Sequence, residues 1–275
     1  MKQVGHQPIY WLFIAIAFTI FGIGLNSGTP IQANQIPPAM QTHGVSSRNG
    51  HSISEKATVK LINQAPDMDP DRTILTLKPA DYKTNEKLFD TAYNVFSFSP
   101  RAMFKKHTAT IYVADHQLRP LTKAAIQKWN TALKFPVFKM GTSKTQTLSI
   151  RFTSTAADNW DGLYNGKTIL IAKNHFKDPK YPVAYIKPSL AAKMSTSQYW
   201  TGVIAHELGH TLGLDHTAYQ ADLMYAANSE GNVVAKYHWS HPIERSSSGL
   251  DGTEMARISQ RDLHRAQLTK QLGYW

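Results

Sequence analysis

The sequence contains no cysteine. Disulfide bonds are therefore excluded, and so are a thiol nucleophile and a metal site with thiolate ligands. A zinc ion bound by this protein must be held by histidine and carboxylate side chains. No internal repeat and no nucleic-acid-binding motif is present either, so we expect neither a repeat architecture nor a nucleic-acid partner.

Acidic residues are scarce relative to basic ones. The chain has 19 Asp and Glu against 30 Lys and Arg, which gives a formal net charge of +11 at pH 7. The basic residues are spread along the chain without a long run. This pattern favours simple solubility, and attraction to an anionic cell surface is a second interpretation of the same charge.

A single long apolar run occurs, from Ile9 to Leu25, behind a polar start that includes Lys2. This order is typical of an export signal. The run is at the lower limit for crossing a bilayer, so it is compatible both with a cleaved signal peptide and with a retained membrane anchor. We therefore expect residues 1–33 to be one of these, and the protein to be secreted or held on the outer face of the cell membrane.

Residues 34–100 show little periodicity. Gln, Asn, Ser, Pro and Gly are frequent up to about residue 72, which predicts a disordered polar linker. Ile74–Leu77 is a candidate short strand, and Tyr93–Phe98 is a further apolar run. The region is interpreted as a linker or a pro-segment, and an extension that packs on the following domain is equally compatible with it.

Residues 101–275 contain the strongest secondary-structure patterns. A helix is predicted at Leu121–Leu133 because its apolar residues follow helical spacing. The predicted strands are Thr108–Ala114, Leu148–Thr153 and Thr168–Ala172. The order strand, helix, strand predicts a parallel βαβ unit.

Two further helices are predicted in the C-terminal half. The first is Tyr199–Leu212, with an N-cap at Ser195, Thr196 or Ser197. The second is Gln260–Leu272, because Ser259 and Asp262 have the spacing of a capping box.

The first of these helices carries the most specific motif in the chain, His-Glu-Leu-Gly-His-Thr-Leu-Gly-Leu-Asp-His. His206 and His210 are four positions apart, so both project from one helix face and can bind one zinc ion. Glu207 lies on the same turn and can exchange a proton with a water molecule on the metal. Gly213 can adopt a positive φ and end the helix, which brings in His216 as a third ligand. Three protein ligands leave one tetrahedral position open, as in catalytic zinc sites.

A methionine follows the motif at a short distance, in Ala221-Asp222-Leu223-Met224-Tyr225. The histidine pattern H-E-x-x-H-x-x-G-x-x-H followed by such a methionine is typical of metzincin peptidases, in which a methionine turn lies under the metal. H-E-x-x-H alone would be much less specific.

Two other groups of candidate ligands are weaker. The stretch Asp158-Asn159-Trp160-Asp161-Gly162 offers oxygen ligands for Ca²⁺, but the same residue types form ordinary turns. His238 and His241 have a spacing that can bind metal, but no helix is predicted around them. We expect a turn at the first group, with calcium as the alternative, and solvated histidines at the second.

From Thr108 onward the chain resembles the matrixin-type metzincins, a resemblance that also includes Leu214-Asp215-His216-Thr217, Leu223-Met224-Tyr225 and Ile258–Asp262. This resemblance implies an α+β, zincin-like catalytic domain over residues 101–275. Such a domain has a twisted, mostly parallel sheet with an antiparallel edge strand, about three helices, and a zinc cleft between two lobes.

The resemblance also implies roles for individual residues. His206, His210 and His216 would hold one catalytic zinc ion, Glu207 would be the general base, and Met224 would underlie the metal. Because Tyr225 directly follows the methionine, a fifth ligand from tyrosine is not expected. The cysteine switch of animal matrixins is absent, and their accessory zinc and calcium ligands have no matching residues here.

The sequence therefore predicts an exported zinc-dependent endopeptidase that is monomeric and acts on protein or peptide substrates. Two alternatives remain at this stage: a surface-attached zinc-containing binding protein, and a zinc amidase acting on cell-wall peptide. The presence of Glu207 favours the endopeptidase, since a purely structural zinc site has no use for it.

Overall fold

A computed structural model describes residues 52–65, 67–154, 160–182, 186–226 and 248–275. The apolar run Ile9–Leu25 and the pair His238 and His241 lie outside these residues, so the predictions made for them stay predictions. Within the described residues, no helix is both long enough and apolar enough to cross a membrane.

A five-stranded sheet lies at the centre of the fold. Its strands are β1 (Ala109–Val113), β2 (Phe138–Met140), β3 (Leu148–Thr153), β4 (Gly162–Tyr164) and β5 (Thr168–Ala172). The spatial order is β2-β1-β3-β5-β4. All neighbouring pairs are parallel except β4 with β5. The predicted α+β, mostly parallel sheet with an antiparallel edge strand is therefore confirmed.

Helices account for most of the other regular structure in the described residues. The helices are α1 (Glu55–Asn63), α2 (Arg72–Leu75), α3 (Pro79–Thr84), α4 (Glu86–Tyr93), α5 (Arg119–Leu133), α6 (Lys173–Lys177), α7 (Pro188–Ala191), α8 (Thr196–Thr211) and α9 (Gln260–Gln271). The three longest, α5, α8 and α9, are those expected from the sequence. The expectation of about three helices applied to residues 101–275, where α6 and α7 add two short helices to these three, whereas α1–α4 lie before that range.

Helix α5 connects the sheet to α8. It begins at Arg119 with Pro120 in its first turn, where proline is tolerated, and ends at a left-handed Lys134. Its apolar face is buried, and the Trp129 indole N–H donates to the carbonyl of Ala205 at 2.8 Å. The hydrogen bond and the apolar contacts hold α8 against α5 at the point where the histidine motif begins.

The prediction of a disordered linker is wrong for the part of the N-terminal region that the structure describes. Helices α1–α4 lie in this part of the chain, and the predicted strand Ile74–Leu77 overlaps helix α2 instead. The physical reason is local capping, since the Asp71 carboxylate accepts a hydrogen bond from Ile74 N at 3.0 Å and starts the helix. Ile74 and Phe89 are completely buried in the same core as the sheet.

The segment after α4 reaches the histidine motif directly. Val95 forms an isolated antiparallel bridge with Leu214, and Phe96 N donates to the carbonyl of Gly213 at 3.0 Å. The apolar run Tyr93–Phe98 thus lies beside the chain that connects the second and third histidines.

Candidate metal centre

Helix α8 carries the first two candidate ligands. The hydroxyl of Ser195 accepts a hydrogen bond from Gln198 N at 3.1 Å, so one of the three predicted N-caps is the observed one. One helical turn separates His206 from His210, and their ring centroids lie 5.0 Å apart. The two rings therefore project from one face of the helix, as the spacing predicts.

The chain turns back after α8 and brings in the third histidine. Gly213 has a φ of +90°, in the region where glycine is favoured. The ring of His216 then lies 5.2 Å from that of His206 and 4.9 Å from that of His210. Ligand nitrogens of the three rings lie within 4.8 Å of one another, which allows one metal ion to contact all three.

Hydrogen bonds orient the two helical rings. Nδ1 of His206 lies 2.7 Å from the carbonyl of Leu223, and Nδ1 of His210 lies 2.7 Å from the carbonyl of Leu214. Since a carbonyl can only accept, each Nδ1 carries the proton and each Nε2 is left with its lone pair. Metal-binding histidines in proteins are commonly oriented in this way, so the donor set fits a zinc ion.

Burial keeps the three histidines neutral. Desolvation lowers the pKa of His206, His210 and His216 to about 3 each, and the charge of a neighbouring imidazole lowers each further in the same direction. At pH 7 all three rings are therefore unprotonated, which is the form that binds a metal.

Glu207 is buried between α8 and the edge strand β4. Burial raises the pKa of its carboxyl group to about 8, while a hydrogen bond from the Tyr164 backbone opposes that shift. Gly162 on β4 leaves room for this carboxyl group, because a Cβ there would lie 2.7 Å from Glu207 Oε1. No local sequence pattern connects Gly162 with Glu207.

Met224 is completely buried beside α8. A Cβ at Gly209 would lie 2.4 Å from its sulfur atom, so the glycine between the two histidines permits the close approach of the methionine. The turn that carries Met224 is closed by Thr217 N donating to the Met224 carbonyl at 2.8 Å. Its backbone is tied to α9, since Leu223 N donates to Asp262 Oδ2 at 2.7 Å.

Two residues that the sequence did not single out support the third histidine. The side chain of Asn94 donates to the carbonyl of His216 at 2.8 Å. Arg265 is completely buried, and its guanidinium donates to the carbonyls of Tyr93, Asn94 and Asp215 at 2.7–2.9 Å. Both residues act through backbone atoms far away in sequence, so no local pattern could have indicated them.

The predicted turn with calcium as its alternative is only partly described. Asp158 and Asn159 lie outside the described residues. Both carboxylate oxygens of Asp161 are already engaged, one with His175 Nδ1 at 2.8 Å and the other with the hydroxyls of Tyr181 and Tyr199. The turn, with calcium as its alternative, therefore stays a prediction.

The sheet, the three converging histidines and the buried glutamate beside them together define a metzincin-type zinc metallopeptidase. The family model of the matrixin peptidases matches residues 101–238, and the chain belongs to the matrixin family. The crystal structure of archaemetzincin from Methanopyrus kandleri is similar to it at 12% sequence identity, with 60% of this chain and 97% of that chain covered and a TM-score of 0.38. No curated protein matches the sequence.

Proposed function

We propose that this protein is an exported zinc endopeptidase that hydrolyses peptide bonds with Glu207 as its general base. The observation that carries the proposal is the position of Glu207, which is buried directly after His206 and beside the free side of β4. A site that held zinc only for structure would have no use for a carboxyl group there. Export rests on the pattern of Ile9–Leu25 alone.

The zinc ion would be held by His206, His210 and His216. A zinc ion bound there would polarise the peptide carbonyl and lower the pKa of a water molecule to about 7. Glu207 takes the proton of the attacking water and passes it to the departing amine. Its pKa of about 8 is that of the site without a cation, and a nearby positive charge would lower it, so the carboxylate would be available at neutral pH.

The edge strand β4 offers a binding surface for an extended peptide. It pairs with β5 on one side. On its other side, no strand among the described residues lies next to it. A peptide added there would form backbone hydrogen bonds with β4 at Gly162, next to Glu207, whose carboxyl group accepts from the Tyr164 backbone. This geometry supports protein or peptide substrates.

We also propose that residues 52–100 belong to the working enzyme and are not a removable pro-segment. Asn94, Phe96 and Ser99 hydrogen-bond to the chain between Thr211 and His216. Removing this region would therefore disturb the support of the third histidine. N-terminal sequencing of the active protein should place its start before residue 52, and an active form that starts near residue 100 would contradict the proposal.

The variant Glu207→Gln tests the catalytic role. The amide is close in size but cannot accept a proton, so peptide hydrolysis should fall by ~10²–10⁴-fold while zinc stays bound. His210→Ala, which removes a ligand, should lose both zinc and activity. Glu55→Gln, at an exposed position of α1, should behave like the wild type.

Three measurements on each variant separate the possible outcomes: zinc content, melting temperature and hydrolysis of a broad peptide library. Wild-type hydrolysis by Glu207→Gln would show that Glu207 is not the base. A wild-type protein that binds zinc and cleaves nothing in the library would instead support a surface-attached binding protein. Cell fractionation tests the export.

A further inference from the structure

A second cluster of polar side chains, buried or half-buried, surrounds Asp161, immediately before β4. His175 Nδ1 lies 2.8 Å from Asp161 Oδ1, and the hydroxyl of Tyr181 donates to Oδ2 at 2.6 Å. The hydroxyl of Tyr199 donates to the same Oδ2. The rings of His175 and Tyr181 are stacked, with centroids 4.6 Å apart. The side chain of Asp161 is only 13% exposed, so its neighbours cover most of it.

The partners of Asp161 connect β4 to the helix that carries the metal centre. Tyr199 lies on α8, and Val203 and Glu207 follow it at intervals of four residues, so the three side chains share one helix face. The residue after Asp161, Gly162, lies against that same face. A Cβ at Gly162 would be 2.9 Å from Val203 Cγ1 and 2.7 Å from Glu207 Oε1.

The backbone of β4 provides few contacts of its own. It pairs with β5 over three residue positions, from Gly162 opposite Ile171 to Tyr164 opposite Ile169. The far end of the strand is held by the hydroxyl of Tyr164, which lies 3.0 Å from Ser99 Oγ. The near end is held by Asp161, through its side chain and through its carbonyl, which accepts from Ala172 N at 2.9 Å. A short edge strand with so few backbone bonds depends on such anchors.

We propose that Asp161 is a positioning residue, which through Tyr199, Tyr181 and His175 fixes the start of β4 on α8 and so sets the place of Glu207. This inference rests on the proposed function, because β4 would be the strand that receives the peptide. Displacing β4 would move two parts of the reaction together, the bound peptide and the carboxyl group that must reach its attacking water. Displacements of about 1 Å at such sites can reduce rates about 10²-fold.

Asp161→Asn and Tyr199→Phe test the proposal from its two ends. The first variant keeps the size of the side chain but turns one acceptor oxygen into a donor, and the second removes one hydroxyl. Neither touches the three histidines, so zinc content should stay at the wild-type level. We expect kcat/KM for a peptide long enough to span β4 to fall about 10–100-fold in Asp161→Asn and less in Tyr199→Phe, through both kcat and KM.

Asp115→Asn is the matched control. The Asp115 carboxylate also holds a strand, since it accepts from Phe152 N on β3 at 3.0 Å, and this bond joins it to neither β4 nor α8. It should lower the melting temperature while leaving kcat and KM within about twofold of the wild type well below that temperature. An effect on kcat and KM equal to that of Asp161→Asn would reduce Asp161 to an ordinary stabilising residue and overturn the proposal.

Hydrogen exchange supplies a second readout that needs no activity. The amides of residues 162–165 should exchange faster in Asp161→Asn and Tyr199→Phe, and those of α5 should not. If the wild type cleaves peptides but both variants keep wild-type exchange and kinetics, Asp161 has no positioning role and the proposed function still stands. If the wild type cleaves nothing, the proposed function fails, and the exchange of residues 162–165 alone decides the role of Asp161.

Discussion

His206 and His210 lie on one helix, whereas His216 lies on the loop that follows it, and the two halves of the metal centre are held in different ways. The helix half consists of α8 with Glu207 and the first two histidines. The loop half consists of residues 213–226, with His216 and the turn at Met224. The spacing of residues along one helix places the side chains of the helix half. Those of the loop half depend on residues from both ends of the chain.

The distances in sequence show this difference clearly. Asn94 is 122 positions from His216, Arg265 is 50 positions from Asp215, and Asp262 is 39 positions from Leu223. Each of these contacts is made to the backbone of the loop half and is partly or completely buried. A helix reproduces its geometry from its own spacing. A loop that carries a metal ligand needs supports from outside, and here α9 and the segment after α4 provide them.

Acid should remove the metal from both halves, and this is the largest effect that we expect. The pKa of each of the three histidines is lowered to about 3 in the folded protein by burial and by the neighbouring imidazoles. In the unfolded chain they titrate near 6.5, so the unfolded state binds more protons in the window between these values. The contribution of the three histidines to the free energy of unfolding therefore falls as the pH falls through this window. Glu207 has the opposite sign, because burial raises its pKa, and Asp90, Asp222 and Asp251 share that sign, so it is through the histidines that acid acts against the metal centre.

Zinc release in acid should accordingly accompany unfolding rather than precede it. The measurement is a pH titration that follows zinc with a chromogenic chelator and folding by circular dichroism. We expect zinc binding and native structure to be lost together as the pH falls below about 6.5, the ordinary pKa of histidine. Complete release of zinc from a protein that still has its native spectrum would contradict this prediction.

The second largest effect that we expect is a loss of stability when the buried Arg265, which supports the loop half, is replaced. Arg265→Met leaves the carbonyls of Tyr93, Asn94 and Asp215 without their guanidinium donor and removes the positive charge near Asp262. Breaking a buried charged network from one side typically costs about 3–5 kcal/mol. Chemical denaturation should show a loss of this size. Arg257→Met, at an exposed position just before α9, should cost less than about 0.5 kcal/mol, and equal losses in the two variants would refute the role of Arg265.

The division between the helix half and the loop half also separates what could be predicted from the sequence from what could not. The helix half was predictable because His206, His210 and the cap at Ser195 all lie within one helical pattern. Strands β1, β3 and β5 were predictable from five or six residues of alternating or continuous apolar character. The outer strands β2 and β4 have three residues each, which is too short for a period to appear.

The remaining features depend on contacts that no local pattern contains. Helices α1–α4 are rich in polar residues, and they are held by capping and by a few buried side chains such as Ile74 and Phe89. Asn94 and Arg265 reach the metal centre only through backbone carbonyls. A sequence pattern shows which residue types recur, but it does not show which distant carbonyl a side chain will meet.

Gly213 joins the helix half to the loop half, and replacing it tests how closely this connection is packed. Gly213→Ala places a side chain at a φ of +90°, with its Cβ 2.9 Å from the carbonyl oxygen of Phe96. Gly273→Ala is the matched control, because Gly273 has a φ of +82° but no atom within 4 Å of such a Cβ. Backbone strain alone costs about 1–2 kcal/mol, so we expect about 1 kcal/mol in the control and about 2–3 kcal/mol at Gly213.

Thermal unfolding of the two glycine variants gives the comparison directly. The excess loss at Gly213 measures how tightly Phe96, Tyr274 and Thr269 pack around this glycine. Equal melting temperatures would show that Phe96 can move away without cost, and the loop half would then be less dependent on the N-terminal region than its contacts imply.

The smallest effect that we predict is also the most selective one. Asn94 is in a left-handed conformation with a φ of 47°, which glycine accepts without strain, so Asn94→Gly removes the side chain while leaving the backbone as it is. The carbonyl of His216 then loses its donor, and zinc affinity should fall by about tenfold, as for other residues that orient metal ligands. Asn130→Gly is a control that also removes a side-chain amide bonded to the backbone, here at Phe138 of β2 and not at a histidine. It should lower the melting temperature without changing zinc affinity. Competition with a chelator of known affinity measures both variants, and unchanged zinc binding in Asn94→Gly would show that the loop half holds His216 without help from the N-terminal region.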